Sequence, residues 1–129
     1  MPGLYSQLIN RPRHPLCPKF MYVDISEVRE IMGRLGVTPN YKGFYYTVYA
    51  VCLVADKPER LLLVTKWLYP EVARHYETTV NAVERDIRTV VGIMWNENRK
   101  ALEEIFRYRI TTKPTVSQFL AMITSYLLG

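Results

Sequence analysis

Histidine and cysteine are scarce, with only two of each in this chain of 129 residues. His14 and His75 stand far apart, and neither has a Cys, Asp or Glu at a ligand spacing that forms a known motif, so no metal site is expected. Cys17 and Cys52 are too few and too distant for a disulfide framework, which points to reduced thiols and a cytoplasmic protein. "GRLGV" at 33–37 lacks the further glycine and lysine of a phosphate loop. With no motif that carries a mechanism, neither an enzyme nor a cofactor is expected, and no small-molecule substrate is implied. No apolar run is long enough to span a bilayer, and "MPGLYSQLINRPRHP" lacks the apolar core of a secretion signal, which leaves no membrane partner. Sustained period-two alternation is missing too, which argues against sheets.

What is present suits one folded unit. Hydrophobic residues make up 49% and charged residues 22%, the balance of a chain that can build a core. A formal net charge of +5 permits a polyanionic partner without requiring one. Pro2, Pro12, Pro15 and Pro18 crowd the start together with Arg11, Arg13 and Lys19, and no acid lies among the first 20 residues. Residues 1–22 are therefore expected to form an extended basic arm and residues 23–129 a helical domain. "RPRHP" in the arm suits either insertion into a minor groove or a mobile solubilising tail.

The domain reads as all-α, a compact bundle of about six or seven helices. "SEVREIMGRLGV" predicts a first helix, capped by Ser26 and stopped at Gly36. "KGFYYTVYAVCLVAD" predicts a second, with Phe44, Val48, Val51 and Cys52 as its buried stripe. Tyr41, Phe44, Tyr45, Tyr46 and Tyr49 spread around it, as core packing requires, rather than lining up as a platform for single strands. "KPERLLLVTKWLY" predicts a third helix, and Pro70 ends it and begins "PEVARHY". Trp67, Leu68 and Tyr69 are expected to bury that join. "VNAVERDIRTVVGIMW", "NRKALEEIFRY" and "TVSQFLAMITSYLL" follow, the last with Thr115 and Gln118 spaced as a capping box.

The stretch over 71–91 holds the clearest functional signal. On a helix, Val80, Val83, Ile87, Val90, Val91 and Met94 gather on one side, and Asn81, Glu84, Arg85, Arg88 and Gly92 on the other. Ala73 in the preceding segment is small enough for a close crossing near Val83. Glu77, Thr78 and Thr79 form a break of the helix-turn-helix kind, with Glu77 where glycine is frequent. Arg donates a fork to guanine O6 and N7, Glu accepts from cytosine N4, and Asn suits a base edge. Asn81, Glu84, Arg85 and Arg88 are therefore candidate base readers, and Thr78 and Thr79 candidate phosphate ligands at a helix N-terminus. The alternative is a solvated face on which Glu84 and Arg88 form an ordinary ion pair.

These residues carry a resemblance. "VTKWLYPEVARHYETTVNAVERDIRTVVGIMW", 64–95, resembles the C-terminal DNA-binding effector domain of the stage-zero sporulation response regulator of endospore-forming bacteria. "IMGRLGVTPNYKGFYY" is similar to that family's opening helix and "GVP…KGY" connection, and "KPTVSQFLAMITSYL" to its "KPTNSEFIAM" closing helix. The likeness runs over roughly 27–128. It implies a six-helix effector fold that binds a promoter element with a C-G step, and it assigns base reading to Glu84, Arg85 and Arg88 and the "TT" before the recognition helix to Thr78 and Thr79. It implies double-stranded promoter DNA as partner, pairing of two copies on tandem sites, and contact with RNA polymerase. Two departures stand out. The arm leaves no room for the family's phospho-acceptor receiver, and Asp86 places a carboxylate beside the polar face, where it is expected to weaken DNA binding. Both favour a rival expectation, a protein-interaction module that pairs with a full-length homologue or with polymerase and reads no DNA.

Overall fold

The computed structural model describes residues 23–107 and 109–129; the expected arm lies outside the described residues. Six α-helices are present among them and no strand: α1 (Ile25–Arg34), α2 (Lys42–Asp56), α3 (Tyr69–His75), α4 (Val80–Glu97), α5 (Arg99–Phe106) and α6 (Val116–Leu128). The all-α reading holds, with six helices.

Helix α2 is the centre of the bundle. It is apolar nearly all round, and Phe44, Ala50, Val51, Cys52, Leu53, Val54 and Ala55 are all buried. A helix of that kind needs neighbours on every side. It packs chiefly on α4 and α6, with α1 against a third flank. The buried face of α4 (Val83, Ile87, Val90, Val91, Met94) is the apolar side that the helical wheel separated. Of the aromatic set, Phe44 and Tyr46 are buried while Tyr41 and Tyr45 stay exposed, so the group is a core element with a wet edge.

Helix ends follow local chemistry, with one correction. Asp24, not Ser26, caps α1: its carboxylate accepts the Ser26 N–H at 2.9 Å and the Ser26 hydroxyl at 2.7 Å. A carboxylate gains more than a hydroxyl from the exposed amides of a first turn, because it also opposes the helix dipole. The helix ends as expected at Gly36, whose φ of +85° is left-handed. The Val37 N–H then reaches the Met32 carbonyl at 3.0 Å, and both side chains are buried. On α6 the capping box forms: Gln118 N–H donates to the Thr115 hydroxyl and Thr115 N–H to the Gln118 side chain.

The expected third helix is not one α-helix. Pro58–Leu63 winds as a tight 3-10 segment and Val64–Leu68 as a wide π turn. Two local causes account for this. Arg60 ties the start of the segment back to α2, donating to the Leu53 carbonyl at 2.7 Å and pairing with Asp56 at 3.4 Å. Pro70 has no N–H to offer the Lys66 carbonyl, and its ring crowds that group. Opening the turn so that Tyr69 N–H bonds the Val64 carbonyl relieves the clash. The join is buried by Leu68 and Tyr69, but Trp67 is 40% exposed and does not join them.

One buried polar atom stands out. The Thr47 hydroxyl, in the middle of α2, has no hydrogen-bond partner among the described residues. An unpaired buried hydroxyl costs roughly 1–3 kcal/mol. Thr47→Val keeps the shape and removes the hydroxyl, so it is expected to raise stability by about 1 kcal/mol. A urea midpoint that rises with an unchanged slope is the expected observation.

Candidate nucleic-acid interface

Helices α3 and α4 meet at a turn that the sequence specifies atom by atom. The Thr78 N–H donates to the Ala73 carbonyl at 2.9 Å and the Glu77 N–H to the Arg74 carbonyl at 3.4 Å, which closes the end of α3. This geometry needs a left-handed residue, and Glu77 supplies it at φ 52°. Gly36 ends α1 in the same way without a Cβ to strain. Glu77→Gly is therefore expected to stabilise the fold by about 1 kcal/mol, since a side chain in this region carries a steric cost that glycine lacks. Chemical denaturation of the two proteins checks it.

The second helix then starts from Thr79, whose hydroxyl accepts the Ala82 N–H at 3.1 Å. That hydroxyl keeps its own proton free to donate outward. Ala73 and Val83 are both buried on the inner side of the pair. The outer side of α4 carries the polar row. Asn81, Arg85 and Arg88 are exposed, and Glu84 is half-buried. The Arg88 guanidinium pairs with Glu84 one turn earlier. Arg85 turns Nε toward the Asp86 carboxylate at 3.3 Å, and the Thr89 hydroxyl donates to the Arg85 carbonyl at 3.0 Å. Exposed pairs of this kind contribute little to folding, so they open at small cost. All the expected site residues thus lie on one surface running from the turn along α4.

Three side chains behave in ways the sequence did not disclose. Asp86 is only 20% exposed, because the backbone there lies against Gly43 of α2. Tyr69 sits beneath the polar row, and burial pushes its hydroxyl up to about 12, with Glu84 reinforcing and Arg88 opposing the shift. It stays a neutral phenol at physiological pH. Arg99 is not a surface cation to spare. It stacks over Trp95 with its guanidinium carbon 4.3 Å from the ring centroid, and it donates to the Ile110 carbonyl at 2.7 Å. Its hydrogen-bond partner is eleven residues along the chain, so nothing in its local pattern gives this role away. Arg74 is likewise paired, with Glu71.

A groove of about 400 Å³ runs beside the row, lined by Tyr69, Glu84, Arg88, Lys113, Thr115 and Ser117 among others. Among the described residues no group of His, Cys, Asp and Glu could hold a metal ion, and no helix is long and apolar enough to cross a membrane.

The family described as "Sporulation initiation factor Spo0A C terminal" matches residues 28–127, which is most of the chain and all of α2 to α5.

Proposed function

Because the chain belongs to the Spo0A C-terminal family, a helical DNA-binding domain of sporulation regulators, we propose that it reads a short promoter element with the outer face of α4. The observation that carries this reading is the state of Arg85 and Arg88. Both guanidinium groups are largely exposed, on the second helix of a helix-turn-helix, Arg85 beside Asp86 and Arg88 beside Glu84. In such proteins the N-terminal half of the second helix enters the major groove.

Asp86 takes on a different role from the one its charge suggested. Only Nε of Arg85 faces it, and neither terminal nitrogen of Arg85 has a partner among the described residues. The carboxylate fixes the stem and leaves the fork pointing outward, the arrangement that matches guanine O6 and N7. Glu84 accepts from a cytosine N4, Asn81 faces a neighbouring base edge, and Thr78 and Thr79 hold phosphates at the start of α4. Copies pair on tandem elements, and RNA polymerase is the protein partner. A domain that has kept the fold but reads no DNA is the second reading, favoured by the carboxylates that pair with Arg74, Arg85 and Arg88.

A gel shift on a duplex with the C-G step and on a scrambled duplex, at two salt concentrations, tests the proposal. Preference for the first duplex that persists at higher salt is expected. Equal and weak binding to both duplexes contradicts it.

A further inference from the structure

Lys113 is a cation that the structure brings to the base-reading helix from a distant part of the chain. Its ammonium is 3.6 Å from the position a Cβ on Gly92 would occupy. Glu84, Arg88 and Gly92 are four residues apart, so they form one row down α4, each step about 6 Å at the usual helical rise. The Lys113 charge therefore stands next in line after Arg88. Gly92 has no side chain to hold it away.

The loop that carries Lys113 is anchored on both sides. On one side the Ile110 carbonyl accepts from Arg99 at 2.7 Å, and the Ile110 N–H donates to Glu103 at 2.7 Å. On the other, the capping box fixes Thr115 at the start of α6. Between these points Lys113 opens onto the groove that also holds Arg88, Thr115 and Ser117. Among the described residues no carboxylate forms an ion pair with Lys113, whereas Glu84, the acid in the groove, is already paired with Arg88.

We propose that this groove seats one phosphate of the DNA backbone, held by Lys113 Nζ and the Ser117 hydroxyl, about one turn beyond Arg88. The proposal rests on the DNA-reading function above and adds a contact that fixes how far α4 lies along the major groove. Phosphate ligands of this kind set register without carrying sequence information.

The test is fluorescence anisotropy of the whole chain with the C-G duplex and the scrambled duplex across a salt series, for wild type, Lys113→Gln, Lys113→Arg and Ser117→Ala. Losing one phosphate contact flattens the dependence of log K on log salt by about 0.9. Lys113→Gln is expected to show that change and to weaken both duplexes by a similar factor, roughly threefold or more at low salt. Lys113→Arg should restore the slope, because it keeps the charge. Ser117→Ala should weaken both duplexes without changing the slope. An unchanged slope and affinity in Lys113→Gln, with wild-type preference intact, overturns the phosphate seat alone. A loss confined to the C-G duplex overturns it as well, since Lys113 would then be reading a base. Wild type that prefers neither duplex removes the underlying function too.

Discussion

Replacing Gly43 with alanine is expected to destabilise the domain by roughly 2–3 kcal/mol, the cost of overpacking at a rigid contact. A Cβ at Gly43 would lie 2.2 Å from the Asp86 carbonyl oxygen and 2.6 Å from a Val90 methyl. The first of these is backbone and has no rotamer to escape into. Helix α2 must then move off α4, which disturbs the most extensive helix pair in the bundle. Alanine's better helix propensity recovers only about 0.5–1 kcal/mol. The melting temperature should fall by on the order of 10 °C. Gly92→Ala is the matched control, because there the nearest atom is 3.6 Å away, the tip of a flexible lysine. That substitution should be neutral or slightly stabilising. Equal effects at the two glycines would mean that α2 and α4 do not approach so closely. The same contact sets how α4 is presented and keeps Asp86 half-buried next to Arg85.

Much of this was legible in the sequence, for identifiable reasons. α2 and α4 could be read because their apolar residues repeat at helical spacing, and that spacing reflects burial directly. The stop at Gly36 and the capping box at Thr115 could be read because capping is chemistry between residues a few positions apart. The segment from Pro58 to Leu68 could not. Its leucines allow a helix, but Pro70 acts backwards on the turn before it, and Arg60 pulls the start toward α2. Periodicity carries neither effect. The place of Trp67 just before Pro70 suggests a buried join, yet it lies in the π turn and is 40% exposed. Arg99 and Lys113 depend on contacts with residues eleven to twenty-one positions away, so their roles exist only once the chain has folded. The polar row of α4 was legible as a surface. That Asp86 would hold Nε of Arg85 and leave its fork free was not, because Asp86 is steered by Gly43 on another helix.

The second large effect concerns Arg85. In the proposed reading its fork makes two hydrogen bonds to one guanine, and such a pair is worth about 1–3 kcal/mol of discrimination. Arg85→Ala should therefore bind the C-G duplex about ten- to hundredfold more weakly and lose most of its preference over other sequences at that base pair. The fold should not change, because the Arg85 side chain is 72% exposed and its one ionic partner among the described residues is the neighbouring Asp86, a pair that contributes little to folding. Asp86→Asn separates orientation from charge. If Asp86 only repels DNA, the variant gains affinity on every duplex alike. If it holds the Arg85 stem, the variant gains on scrambled DNA and loses part of its preference.

The most direct measurement is the ratio of affinities for the C-G duplex and a duplex altered only at that step, taken for wild type and Arg85→Ala at matched salt and matched melting temperature. The account predicts a clear wild-type ratio that collapses toward unity in the variant, with little change in binding to the altered duplex. A ratio that is the same in both proteins would contradict it, and would leave Arg85, Glu84 and Arg88 as charges on a wet helix.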